Sequence, residues 1–266
     1  MKRRYLLAAA LSFIVAQPSH AAEWHTRAFA TDPKNLVMTP LLDAFRFHAE
    51  AASAWYLDEL NGDLVSRTKF ERFGRAVSSA TYGAFEYTYM KDGVRHTRVY
   101  YAMSGPDNPF TALGPAGRPM ADFIAQDSTR IHAYLRSSDR SSLVATEVEG
   151  DQPGGQHQRD AELKALRTIE RDMQAGVVTS GGALHAFISQ PMCDSCEHVM
   201  HQFSAQYNVD INVDYLEGEL SEAYRRFRIL ANRFMDTVLV HIRHPEGPGH
   251  PTPPPSAGTC ARIYAQ

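Results

Sequence analysis

Between residues 159 and 216 the hydrophobic period switches repeatedly, and this restricts the fold more than any other feature of the chain. Leu163, Leu166, Ile169 and Met173 recur at helical spacing, and Ala183 to Ser189 is an apolar run of strand length. Cys193 to Tyr207 returns to the helical period. Val209, Ile211, Val213 and Tyr215 then alternate with Asp210, Asn212 and Asp214, the pattern of a strand buried on one side. The order helix, strand, helix, strand predicts an α/β fold, a layered sheet covered by helices, because each amphipathic helix must bury its apolar stripe against another element.

The flanks fit around that unit. Leu41, Phe45, Ala49, Ala52, Trp55 and Leu60 fall near helical spacing over 40–60, Asn61-Gly62 stops them, and 68–79 predicts a second, shorter helix. From Thr81 to Met103 the chain is rich in Tyr, Phe, Val and Thr. It is broken by Lys91-Asp92-Gly93, which predicts a β-hairpin. Repeated Gly, Pro, Asp and Ser mark 105–158 as a loop-rich insertion, with a short helix expected at 119–126 and a strand near 143–148. Ser221 is placed to cap a last helix with an apolar face through Tyr224, Phe227, Leu230, Phe234 and Val238, ending at His244. The expected organisation is a helical N-terminal segment at 22–79, an α/β domain at 80–244, and a flexible Pro-rich tail at 245–266.

The beginning of the chain carries an address. Met1-Lys2-Arg3-Arg4 is basic, Tyr5 to Ala16 is almost all apolar, and Ser19-His20-Ala21 offers the small residues that a signal peptidase reads, so 1–21 is expected to be a signal peptide. The apolar run is too short to span a bilayer comfortably and no stop-transfer segment follows. A secreted or periplasmic mature protein without stable membrane association is the expectation. The formal net charge is -3, and it becomes more negative once Lys2, Arg3 and Arg4 are removed. No global field for a polyanion results, so any contact with nucleic acid would have to be local.

The cysteine count is 3, and two of these residues form Cys193-Asp194-Ser195-Cys196. A disulfide scaffold would spread an even number along the chain, so the pair reads as a site and Cys260, alone in the tail, as incidental. If Cys193 opens a helix, Cys196 lies one turn on and on the same face, and the helix N-terminus favours both thiolates. Two thiolates suit zinc, with a third ligand from elsewhere and one position left open for water. Hydrolytic deamination needs such a metal, to lower the pKa of water, and an acid/base that carries a proton to the leaving amine. Asp160-Ala161-Glu162 opens the helix one strand upstream, so both helix N-termini can meet at one end of the sheet. Asp160 is then the candidate third ligand and Glu162 the candidate catalytic acid/base.

These residues carry a resemblance. Arg159-Asp160-Ala161-Glu162, the run Phe187 to Cys196, and Val199 with Gln202-Phe203 make the stretch from about 80 to 240 similar to the cytidine-deaminase superfamily, in particular its bacterial toxin-type deaminases. The resemblance implies a three-layer deaminase-like sheet and a zinc site of Asp160, Cys193 and Cys196. It also implies hydrolysis of the amine of a nucleobase, cytosine foremost, in a nucleoside or single-stranded nucleic acid, and a secreted toxin or effector. The chain departs from the family at two places: Asp160 stands where the family has histidine, and Met192 intervenes between Pro191 and Cys193.

Other readings remain open. His48-Ala49-Glu50 matches His-x-Glu literally but falls in the middle of a predicted helix, ahead of the hairpin. His157, three residues before Asp160, is a substitute ligand. Asp160 is also a natural helix N-cap and Glu162 a natural first-turn acid. The Cys-x-x-Cys pair equally suits an exported thiol-disulfide oxidoreductase, or a binding module with structural zinc or a disulfide. Arg225, Arg226, Arg228 and Arg233 can touch phosphates or simply form a solvated face. Tyr82, Phe85, Tyr87, Tyr100 and Tyr101 can stack on a base or build core.

Overall fold

The computed structural model describes residues 22–61, 67–105, 129–136, 139–148 and 156–243. The expected signal peptide, the short helix at 119–126, the tail and Cys260 lie outside the described residues. A mixed sheet of 6 strands in the order β1-β6-β5-β2-β3-β4 forms the centre. Its strands are β1 (Trp24–Phe29), β2 (Tyr82–Lys91), β3 (Val94–Met103), β4 (Arg130–His132), β5 (Ala183–Ile188) and β6 (Asp210–Leu216). The helices are α1 (Met38–Asn61), α2 (Arg67–Ser79), α3 (Ala161–Gln174), α4 (Asp194–Tyr207) and α5 (Glu222–Arg243).

Local chemistry explains the elements that position the site. Asp92 and Gly93 both take positive φ, 53° and 76°, which suits a tight two-residue hairpin turn and sets β2 against β3 in antiparallel register. The other edge of β2 pairs antiparallel with β5, whereas β5 runs parallel to β6 and connects to it through α4. At the end of α4, Asn208 adopts the left-handed conformation (φ 51°), and its N–H bonds back to Ser204 O. At the start of α1, Asp32 accepts from the backbone N–H groups of Leu36, Val37 and Met38 at 2.8–2.9 Å, meeting donors that the helix itself leaves unpaired.

Each face of the sheet has its own core. Phe85, Tyr87, Tyr100 and Ala102 join Leu184, Ala186 and Val213 beneath α3 and α4, contacting Leu163, Leu166, Ile169, Val199 and Phe203. Tyr82, Ala84, Tyr101, Met103, Phe187 and Leu216 face the other way, against Leu41 and Phe45 of α1 and Tyr224 and Phe227 of α5. The α/β layering expected from the periodicity is therefore present. The aromatic residues raised as base-stacking candidates are core: Tyr82, Phe85, Tyr87 and Tyr100 are fully buried and Tyr101 nearly so.

Three local features differ from the sequence reading. Strand β1, in the segment expected to be helical, pairs parallel with β6 at the sheet edge, where Arg27 donates to both carboxylate oxygens of Asp214 (3.0 and 2.7 Å). A short strand, β4, pairs with β3 inside the insertion. Residues 143–148 form no strand. They lie in a backbone segment outside the sheet, hydrogen-bonded to α3 and α4. Among the described residues no helix is long and apolar enough to cross a membrane.

Candidate metal centre

The end of the sheet where β3 and β5 finish brings the predicted residues together. Strand β5 ends at Ile188, and Cys193 becomes the N-cap of α4, with its Sγ accepting from the Cys196 N–H at 3.2 Å. Helix α3 opens beside it. The N-cap of α3 is Asp160, in an extended conformation, and its side chain makes no capping hydrogen bond. The carboxylate instead turns to the sulfurs: Asp160 Oδ2 is 3.4 Å from Cys196 Sγ and 3.6 Å from Cys193 Sγ. The reading of Asp160 as an ordinary side-chain cap is thereby corrected.

His157, from the short 3-10 turn Gln156–Arg159, completes the cluster. Its Nδ1 lies 2.7 Å from Asp160 Oδ2 and 3.5 Å from Cys193 Sγ. His157, Asp160 and Cys193 offer donor atoms all within 4.8 Å of one another, a group that can hold a metal ion. Cys196 Sγ adjoins it, 2.6 Å from Cys193 Sγ, and both thiols are free. Donors bound about 2.0–2.3 Å from a common tetrahedral ion stand ~3.3–3.8 Å apart. The contacts of 3.4, 3.5 and 3.6 Å match that spacing, whereas the Cys193–Cys196 and His157–Asp160 contacts of 2.6 and 2.7 Å are shorter than it. Nitrogen, carboxylate and sulfur donors together are compatible with zinc without being specific for it.

Glu162 sits in the first turn of α3 with 3 % of its surface exposed, so it is not the solvated dipole-pairing acid of an ordinary first turn. Its carboxyl is pushed up to about 7, by burial first and also by the neighbouring Asp160 charge, against the lowering effect of its own backbone N–H, Cys196 and His157. A carboxyl that titrates near neutrality can both take and give a proton there. The two thiols are driven apart. Cys193 falls below the usual thiol value because the Cys196 side chain hydrogen-bonds to it, and Cys196 rises because of that same bond and its burial.

The rival residues are placed elsewhere. His48 lies within α1, buried, its Nδ1 2.7 Å from Ala44 O and its ring against Tyr82 and His132 rather than in the donor cluster. Arg225, Arg226 and Arg233 are exposed on α5 and Arg228 is half-buried, the pattern of a solvated helix face. Two supporting residues were not singled out from sequence. Lys164, with no exposed surface, donates to Met103 O (2.7 Å) and Gly105 O (2.6 Å), tying the end of β3 to the helix that carries Glu162. Its signal is a lysine next to Leu163 on the core-facing side of an amphipathic helix. Ser195, between the cysteines, accepts from Thr146 N–H at 3.0 Å, a long-range contact with no sequence signature. Comparison with protein-family models, with curated proteins and with solved structures finds no match to this chain.

Proposed function

We propose that this protein is an exported zinc-dependent hydrolytic deaminase, acting on a nucleobase, cytosine foremost, in a nucleoside or single-stranded nucleic acid, as a secreted toxin or effector. One observation carries the reading: a buried carboxyl, Glu162, opens one helix beside Asp160, while Cys193 and Cys196 open another, and the donor atoms of both helix tips converge within contact distance. Asp160, Cys193 and Cys196 would hold the metal. His157 would orient the Asp160 carboxylate through its hydrogen bond, as second partners of metal ligands commonly do. Bound zinc supplies a Lewis acid that brings the pKa of water down to about 7. Glu162 accepts a proton from the water that attacks the amine-bearing carbon and donates it to the adjacent ring nitrogen. It then takes the remaining proton from the newly added hydroxyl and passes it to the amine, which leaves as ammonia while the carbonyl forms.

A second reading has its own support. Cys193, at a helix N-terminus and more exposed than Cys196, is shifted toward thiolate, as the attacking thiol of a thiol-disulfide oxidoreductase would be. The deciding experiment combines metal analysis of the purified protein with a deamination screen on wild type, Glu162→Gln and Cys193→Ser. The deaminase reading expects Glu162→Gln to keep zinc and lose about 10²- to 10⁴-fold in rate. It also expects Cys193→Ser to lose zinc and activity together. Reduction of a test disulfide that is indifferent to Glu162 would instead establish the oxidoreductase.

A further inference from the structure

The proposed metal centre depends on a relation that neither helix sets alone. Asp160 belongs to the tip of α3 and the two thiols to the tip of α4, so a slide of one helix along the other changes the donor spacings. Metal sites tolerate errors of only about 0.2 Å in ligand distance. The apolar packing of both helices on the sheet is non-directional and does not by itself fix such a slide.

One directional contact joins the helices directly at their far ends, where Tyr207 Oη donates to Glu170 Oε1 at 2.7 Å. Nearer the tips the directional contacts come from residues 139–148, which form neither helix nor strand. On the α3 side, Arg167 donates through Nε and Nη2 to Leu143 O at 3.0 and 2.7 Å. On the α4 side, Gln202 Nε2 donates to Ser142 O at 3.2 Å, and Thr146 N–H donates to Ser195 Oγ at 3.0 Å. Between them the Leu143 side chain is fully buried in the core shared by the two helices. The last of these bonds reaches the site itself, because Ser195 is 1 % exposed and lies directly between the two cysteines.

Resting on the reading of the cluster as a metal centre, we propose that residues 139–148 are a brace that holds the tips of α3 and α4 in metal-binding register. Ser195 and Arg167 are its positioning residues. The brace acts through the donors and touches no substrate. Its loss leaves the sheet intact and lets the cysteine tip drift from the Asp160 tip.

The test uses the full mature chain, zinc affinity by chelator competition, and the visible spectrum of the cobalt(II)-loaded protein, whose thiolate charge-transfer and d–d bands report ligand geometry. Ser195→Ala and Arg167→Met are expected to weaken zinc binding about ten- to a hundredfold, as loss of an outer partner of metal ligands does. They are also expected to shift the cobalt bands while far-ultraviolet circular dichroism stays unchanged. Ser195→Thr, which keeps the hydroxyl acceptor, restores both. Asp214→Ala, which loosens the β1–β6 edge on the face of the sheet away from α3 and α4, lowers stability without moving the cobalt bands. If Ser195→Ala fails to fold, Arg167→Met decides. Folded brace variants with wild-type zinc affinity and wild-type cobalt bands overturn the brace and leave the metal centre standing. A wild-type chain that takes up neither metal overturns the metal centre and the brace with it.

Discussion

Acid should detach α1 from the sheet through a pair of buried imidazoles. His48 on α1 and His132 on β4 face each other with ring centroids 5.0 Å apart, and both are almost wholly buried. Among the described residues, His48 Nε2 and both nitrogens of His132 have no hydrogen-bond partner. Phe47 and Tyr82 line the His48 ring, and Phe47 and Tyr134 the His132 ring. The charges that act on the pair are His48 on His132, Lys164 on both rings and Arg171 on His132; all oppose protonation. Burial is the largest cause for each, taking His48 from 6.5 down to about 4 and His132 well below its ordinary value.

A histidine held below its unfolded pKa contributes stability that is complete above that unfolded value and is lost as pH falls toward the folded one. For His48 the window runs from 6.5 to about 4, and at about 1.4 kcal/mol per unit it amounts to about 3 kcal/mol. Within the window each histidine that binds a proton only on unfolding steepens the curve by up to about 1.4 kcal/mol per pH unit. Urea unfolding at a series of pH values measures that slope. His132→Phe is the cleaner perturbation, since no hydrogen bond to a described residue is lost and two buried nitrogens without a partner among the described residues are removed. It should flatten the acid limb and raise stability at neutral pH by about 1–3 kcal/mol. His48→Phe should flatten the limb as well, offset at neutral pH by the lost bond to Ala44 O. Variants whose stability falls with pH in parallel with wild type would refute the reasoning.

Other substitutions probe the frame. Gly182→Ala places a Cβ 2.3 Å from Thr88 O and 3.0 Å from the Tyr87 hydroxyl, so β5 must shift against β2; a loss of about 1–3 kcal/mol in urea unfolding is expected. Asp214→Ala removes the acceptor shared by Arg27 and His185. Because the Arg27 side chain is 61 % exposed, the expected cost is only about 1 kcal/mol, read together with faster amide exchange in β1. Asn208→Ala forces an ordinary residue into the left-handed turn that ends α4 and should cost about 1–2 kcal/mol in thermal or urea melts.

What the sequence disclosed follows the strength of its periods. Helix α3, strand β5, helix α4 and strand β6 fall within a residue or two of expectation, because each buries one face and so writes its period into the chain. The same holds for α1, α2 and the hairpin, where Asp92-Gly93 marks the turn chemically. Strand β1 left no such trace: most of its residues are exposed, so Trp24-His25-Thr26-Arg27-Ala28-Phe29 carries no alternation, and only pairing to a distant strand makes it extended. Residues 143–148 misled in the opposite direction. Leu143 and Val144 have strand-like composition, yet the Leu143 carbonyl and the N–H groups of Val144 and Thr146 are taken up by the Arg167, Gln202 and Ser195 side chains rather than by a neighbouring strand. At the site, the meeting of Asp160 with Cys193 and Cys196 was legible from the placement of two helix starts. That His157 would bond Asp160 and reach Cys193 depends on the short turn Gln156–Arg159, whose geometry no periodic pattern encodes.

The pairing of β1 with β6 has a consequence for the order of assembly. The residues bridged by the Arg27–Asp214 contact stand 187 positions apart, so closing that loop is among the most entropically costly steps the chain takes. Before it closes, β6 offers an unsatisfied ladder of N–H and C=O groups to any extended peptide, the chain's own or a stranger's. Trp24–Phe29 thus works as a late-arriving seal, and a variant that weakens it would be expected to aggregate during refolding before it shows any defect at equilibrium.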